Sequence, residues 1–272
     1  MKFFLDSAIL PEIEFSFRTG ICDGVTMNPS LVKKAVEELQ AKGEKITLEL
    51  YIRKILKAAK GSPVSIEVTA LDAKGMVMQG KRIYKNFKAA NKNLNIKIPV
   101  NPCFPGEKGK EFDGIIAIKE LHKAKIPVNC TLIFTPEQAL AAAKAGADFV
   151  SPFCGRIDDL LRKENGIQFG KEDYYPAKGL SKDGNVLEDN GIVSGVDLVK
   201  QTAEIFKTHG IKSRIIAASV RNARQARECA IAGADICTMP FGVLKEIASH
   251  RLTQEGMKKF TEDAPEEYKK MV

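Results

Sequence analysis

The chain has no tryptophan, only three histidines, no Cys-x-x-Cys pair and no Gly-x-Gly-x-x-Gly turn. Each absence removes a class of function. Without the glycine-rich turn, nothing in the sequence asks for a dinucleotide on an open doubly wound sheet. The six cysteines form no even framework, so free thiols in a reducing compartment are expected, not disulfides or zinc. His122, His209 and His250 all read as residues near helix ends, where a cation meets the negative end of the dipole. A histidine-based metal site or a Ser/His/Asp triad is therefore not expected, and no metal is called for. No apolar run approaches the roughly 20 residues needed to cross a bilayer. The opening Met1-Lys2-Phe3-Phe4-Leu5-Asp6 meets charge too early for a signal peptide, so the expected location is the cytoplasm, with no membrane partner.

What is present is ordinary in bulk. Of 272 residues, 44% are hydrophobic and 28% charged, the balance of a soluble globular protein. The net charge of +8 suits either an anionic partner or solvated helix faces. The lysines are spread along helical stretches such as Lys81-Arg82-Ile83-Tyr84-Lys85 and are not interleaved with aromatics, so a nucleic-acid partner is not expected.

Short strand-like runs alternate with amphipathic helical runs from end to end. Strands are expected at Phe3–Leu5, Gly24–Met27, Val64–Thr69, Asn95–Pro99, Val128–Phe134, Phe149–Phe153, Arg214–Ser219 and Ile236–Met239. Helices are expected between them, near 11–18, 30–41, 48–59, 73–90, 114–123, 136–145, 195–208 and 223–232, with more after 239. Eight strand–helix repeats in roughly 250 residues are the pattern of a single α/β (β/α)8 barrel covering residues 1–272. Two connections are long, at 101–113 and 162–191. In a barrel both follow strand ends and would hang over the mouth, as lids or as surface excursions. The C-terminal segment from Met257 to Tyr268 reads as a helix that either packs on the barrel or reaches another subunit.

The chemistry collects at the strand ends. Lys97 sits in the middle of the apolar strand Asn95-Ile96-Lys97-Ile98-Pro99. A strand buried on both faces leaves its ammonium no easy route to water, and desolvation favours the neutral amine, a nucleophile suited to carbonyl carbon. Asp6 ends the first strand and Glu67 lies in the third. An interior carboxylate beside an interior lysine is costly unless paired or functional. Asn28, Asn129, Thr131, Ser151, Ser219 and Arg221 hold comparable places, and Arg156 follows the sixth strand. Each has a plainer reading. Asp6 and Asn28 suit helix starts. Glu67 suits a salt bridge to Lys97, and Asn129 and Thr131 suit inward-facing ladder polars. Arg156 suits a surface ion pair with Asp158 and Asp159, and Arg221 a solvated first turn.

The chain resembles the transaldolase family in its short form. The resemblance rests on Phe3-Phe4-Leu5-Asp6, Gly24-Val25-Thr26-Met27-Asn28-Pro29-Ser30-Leu31, Ser65-Ile66-Glu67-Val68, Ile96-Lys97-Ile98-Pro99, Asn129-Cys130-Thr131-Leu132-Ile133-Phe134, Val150-Ser151-Pro152-Phe153-Cys154-Gly155-Arg156-Ile157-Asp158-Asp159, Ala217-Ala218-Ser219-Val220-Arg221 and the two Ala-Gly-Ala stretches. They occur in order across nearly the whole chain. The resemblance implies transfer of a dihydroxyacetone unit between a ketose phosphate and an aldose phosphate, as in the pentose phosphate pathway, without cofactor or metal. It implies Lys97 as the Schiff-base lysine and Asp6 as the base at the C4 hydroxyl. Glu67 and Thr131 match the pair that holds a catalytic water. Asn28 and Asn129 match amides that hold donor hydroxyls, Ser151 a pocket hydroxyl, and Arg156, Ser219 and Arg221 the phosphate site. It also implies a homo-oligomer, pentamer or decamer.

Fructose-6-phosphate aldolase is the near neighbour by pattern and cleaves without an acceptor. That group typically has glutamine where this chain has Glu67 and tyrosine where it has Phe153, and it lacks the asparagine matched by Asn129. Transfer is therefore expected over simple cleavage, with aldolase-type cleavage and a different anionic sugar as the alternatives. A non-catalytic sugar-phosphate-binding barrel is a more distant one. Two features depart from the family pattern: Met27 stands where threonine is usual, and both long connections exceed the usual short-form length.

Overall fold

A computed structural model describes residues 1–271. Eight parallel strands close into a barrel in the order β1-β10-β9-β6-β5-β4-β3-β2. They are β1 (Lys2–Asp6), β2 (Gly24–Thr26), β3 (Val64–Glu67), β4 (Leu94–Pro99), β5 (Val128–Ile133), β6 (Phe149–Pro152), β9 (Arg214–Ala217) and β10 (Ile236–Met239). Each is an apolar run bounded by turn residues, and each is buried on both faces as parallel strands under helices must be. The expected strand–helix alternation and barrel closure are present. Several strands end earlier than expected; β3 stops at Glu67 and not at Thr69.

Helices α1 (Leu10–Arg18), α2 (Pro29–Ala41), α3 (Leu48–Ala58), α4 (Ala73–Phe87), α5 (Asp113–Lys123), α6 (Pro136–Ala145), α8 (Gly195–Thr208) and α9 (Ala223–Ile231) fall where the apolar periodicity puts them. Six of these eight starts carry a side-chain cap, and α1 and α5 do not. Thr135 and Gln138 form a reciprocal capping box on α6, and Gly146 closes it in the left-handed conformation. The Asp6 cap reading fails: α1 starts at Leu10 after Ile9, with no side-chain cap. Asn28 does cap α2, accepting from the Leu31 N–H at 3.0 Å.

Three features differ from the sequence expectation. A helix not foreseen, α7 (Cys154–Glu164), follows β6 directly, so the long polar connection begins beyond it. That connection contains a short hairpin, β7 (Ser181–Lys182) with β8 (Asn185–Val186). Charge density in Arg156-Ile157-Asp158-Asp159 hid the helix: its buried face includes Asp158 and Arg162, which burial normally excludes. Third, His122 and His209 lie at helix C-terminal ends, but His250 is the N-cap of α11 (Arg251–Asp263), accepting from the Leu252 N–H through Nδ1. After β10 come α10 (Phe241–Ile247), α11 and α12 (Glu266–Met271), and neither of the last two buries a residue. Among the described residues, no helix is long and apolar enough to cross a membrane.

Candidate active site

The strand register builds the site. Glu67 and Lys97 are partners on adjacent strands β3 and β4, and Lys97 is in turn paired with Asn129 on β5. Partners on adjacent parallel strands point to the same side of the sheet, here the barrel interior. Lys97 is 6% exposed, and its Nζ lies 3.1 Å from Glu67 Oε2. The pocket around this amine is thus not the apolar one that the strand's own sequence suggests. A carboxylate faces the amine, and the Phe153 ring centroid lies 5.8 Å away.

A cavity of about 440 Å³ opens at the C-terminal ends of the strands. Asp6, Asn28, Lys97 and Ser151 line its floor, and Arg156, Ser219 and Arg221 line one side. The structure therefore brings most of the sequence-selected residues into one space. Glu67 borders an adjoining apolar cleft between α2, α3 and α4 and reaches the cavity through its contact with Lys97; Asn28 borders both. Asn129 and Thr131 are fully buried and line neither cavity. Asn129 bridges the strands, donating to Ser65 Oγ at 3.1 Å and accepting from Ser151 Oγ at 2.7 Å. The Thr131 hydroxyl is buried without a partner, an exception to the rule that buried polar groups are paired. The following Leu132 has φ 57° at a register shift between β5 and β6, which re-aims this stretch of strand.

Asp6 accepts from Thr26 Oγ1 at 2.8 Å, and Thr26 is itself hydrogen-bonded to Thr238. Burial raises the Asp6 carboxyl above its usual range, while the charge of Lys97 and the Thr26 hydrogen bond pull it back. Thr26 and Thr238 both line the cavity and were not among the residues selected from sequence. The available signal was a polar residue inside an otherwise apolar strand, as in Ile236-Cys237-Thr238-Met239.

At the cationic side, Arg221 donates from Nη2 to Asp159 Oδ2 at 2.7 Å, its backbone N–H is held by Gln225 Oε1, and its buried Nε has no partner. It is neither solvated nor first-turn surface. Arg156 is not paired with Asp158 or Asp159; its guanidinium stands 5.6 Å from the Phe153 ring centroid. Asp158 is buried, accepting from the Gly195 N–H at 2.7 Å and from Gln225 Nε2 at 2.6 Å. Burial pushes its carboxyl up to about 7 despite those donors. Ser219 holds φ 57°, an uncommon conformation for a residue with a Cβ and one that concentrates at functional sites. Gly155 is packed so closely on this turn that a Cβ there would lie 2.3 Å from the Ser219 carbonyl oxygen and 2.4 Å from Arg221 Nε. Arginine forks suit phosphate oxygens, and an orphaned guanidinium N–H beside a cavity is a ready donor for one.

Of the two long connections, 101–113 lines neither of these cavities among the described residues, while the one beyond α7 contributes Lys171 to the cavity rim.

The chain is similar to known proteins over nearly its whole length. The family model described as transaldolase/fructose-6-phosphate aldolase matches residues 3–271. The chain is 39% identical to a probable transaldolase of Chlorobaculum parvum, over 97% of this chain and 98% of that protein. It is 38% identical to a probable transaldolase of Chlorobium phaeobacteroides, over 97% and 96% respectively. A probable transaldolase of Exiguobacterium sibiricum is 36% identical, over 97% of each chain.

Proposed function

This chain belongs to the transaldolase/fructose-6-phosphate aldolase family, and from that premise we propose that it is a Schiff-base transaldolase acting on sugar phosphates. The observation that carries the reading is the ion pair of buried Lys97 with half-buried Glu67, its lysine in the cavity that Asp6 and a cationic flank also line. In this reading Lys97 Nζ attacks the C2 carbonyl of a ketose phosphate such as fructose 6-phosphate or sedoheptulose 7-phosphate. The carbinolamine loses water to give an iminium. Asp6 takes the C4 hydroxyl proton, the C3–C4 bond breaks, and its electron pair moves to C3 to form the enamine. The shortened aldose leaves, and C3 of the enamine then attacks the aldehyde carbon of the acceptor, erythrose 4-phosphate or glyceraldehyde 3-phosphate. Hydrolysis of the new iminium frees Lys97.

Glu67 and the unpartnered Thr131 hydroxyl suit a water that shuttles protons at the carbinolamine. Asn28, Asn129 and Ser151 suit the hydroxyls of the dihydroxyacetone unit. Arg156, Ser219 and Arg221 suit the phosphate, whose binding orients the distant reacting end. No step calls for a cofactor or a metal. The place of such an enzyme is the pentose phosphate pathway in the cytoplasm, as a homo-oligomer of five or ten subunits.

Borohydride trapping tests the reading. Protein mixed with fructose 6-phosphate and reduced is expected to gain a donor-derived adduct by intact mass, absent from Lys97→Met. No adduct with any ketose phosphate overturns it. The family embraces an aldolase, so acceptor dependence separates the two activities. Release of glyceraldehyde 3-phosphate equally fast with and without an acceptor aldose would make the protein an aldolase.

A further inference from the structure

We propose that Lys171 is a specificity-determining residue that makes the cavity select a dianionic phosphate over a monoanionic group. The inference rests on the transaldolase reading and concerns the anion end of that same site.

Lys171 comes from the connection between α7 and α8, outside every strand and every stretch that carries the family resemblance. Its side chain is exposed, but the backbone that carries it is fixed. It sits in a turn closed from both sides: the Asp173 N–H donates to the Gly170 carbonyl at 3.1 Å, and the Gly170 N–H donates to Asp173 Oδ2 at 2.8 Å. Arg162, itself buried, clamps the turn. Its guanidinium lies between the rings of Phe169 and Tyr175, at 4.9 and 5.0 Å, and Nη2 donates to the Asp173 and Tyr174 carbonyls. Asn222, next to Arg221, donates from Nδ2 to the Glu172 carbonyl at 3.2 Å. Tyr174 is held on the other side by Glu228 and by the Arg224 guanidinium over its ring. The turn is thus bolted to α7 and α9, the helices that also carry Arg156, Asp159 and the Gln225 that holds Arg221.

The charge balance gives this lysine its role. The anion end holds three cations, Arg156, Lys171 and Arg221, and Asp159 neutralises one of them. Among the described residues neither Arg156 nor Lys171 has a carboxylate within ion-pair distance. Two positive charges are left uncompensated, which matches a phosphate monoester dianion. Arg156 and Arg221 without Lys171 would leave one, which matches a sulfonate equally well. Discrimination by charge number therefore falls to Lys171. An exposed rim lysine contributes modestly, on the order of two- to fivefold in binding.

The experiment compares wild type, Lys171→Gln and Lys171→Arg with fructose 6-phosphate and with its 6-deoxy-6-sulfonate analogue, and measures inorganic phosphate binding by calorimetry. The expected result is a preference for the phosphate in wild type. Lys171→Gln should raise KM for the phosphate several-fold, compress the phosphate-to-sulfonate ratio of kcat/KM and weaken inorganic phosphate binding; Lys171→Arg should restore all three. A ratio and a phosphate Kd unchanged in Lys171→Gln would overturn the proposal while leaving the transaldolase reading intact. The same holds for a wild type that turns over both donors alike. If no ketose is trapped or turned over but Lys171→Gln still weakens phosphate binding, the anion site stands and the transaldolase reading falls. A wild type that binds no phosphate overturns the proposal.

Discussion

In the proposed reaction Asp6, a carboxylate that burial holds above its usual range beside a buried amine, exchanges a proton with the bound sugar. Asp6 must be ionised to act as a base. Activity is therefore expected to fall as pH drops through its raised pKa, so the acid limb of kcat/KM lies above the ordinary carboxylate value of 3.8. Thr26→Val removes a hydrogen bond that favours the charged form. The limb should then move to higher pH, and an unmoved limb would show that another group sets it. Asp6→Asn should lower kcat by about a hundredfold or more, the scale of a lost general base. All of this was partly legible in advance. Polar residues in apolar strands stand out, and Asp6, Glu67 and Lys97 were selected that way. Thr26 and Thr238 were passed over because threonine is at home in strands and its hydroxyl announces nothing without its partner.

At the level of elements, the first turn of α7 carries Arg156 to the cavity, the anion end of the proposed site. Gly155 lets that turn approach the end of β9, and no side chain fits between it and Arg221. Gly155→Ala is expected to displace Arg221, raising KM for a phosphorylated donor more than for dihydroxyacetone; equal effects on both would mean a general loss of packing. Asp158 ties α7 to the start of α8 and to Gln225. Its carboxyl ionises near 7 in the fold and near 3.8 when free. Below pH 4 both states are protonated. Between 4 and 7 only the unfolded chain releases the proton, so this group's contribution to stability declines as pH rises and the deficit is complete above 7, at most about 4 kcal/mol. Relative to Asp158→Asn, wild type should lose stability across that window in chemical denaturation, and a constant difference would refute the assignment. Sequence patterning missed α7 because its buried face is charged, and a hydrophobicity rule reads Asp158 and Arg162 as solvent-facing. Only their partners, brought from α8, α9 and the far turn, make burial tolerable.

For the whole molecule, the C-terminal arm is the unfinished part. Helix α11 buries nothing, with Leu252 61% and Phe260 71% exposed. An apolar cleft of about 520 Å³, lined by Val32, Val36, Leu48, Ile52 and Phe87, lies open between α2, α3 and α4. In the homo-oligomer proposed above, this arm and cleft are the exposed apolar surface available for contact between copies. Light scattering is expected to give a pentamer or decamer for wild type and smaller species for Phe260→Glu. A monomeric wild type would remove the oligomer from the proposal.

What the sequence determined by itself is what depends on local periodicity and on residue type. It determined the alternation of apolar strands and amphipathic helices, the cap at Asn28, and the presence of charged groups where strands end. Alternation with parallel strands leaves few closed solutions, so the barrel followed. What only the tertiary structure decided is which polar group meets which. The Glu67–Lys97 pair was open to a sequence reading and is present, but Asp159 takes Arg221 and leaves Arg156 unpaired, and Lys171 is carried to the rim by a turn whose anchors, Arg162 and Asn222, lie on two other elements. Such pairings depend on distances of a few ångströms between residues tens of positions apart. No one-dimensional pattern encodes them, because electrostatic and hydrogen-bond energies depend on separation in space.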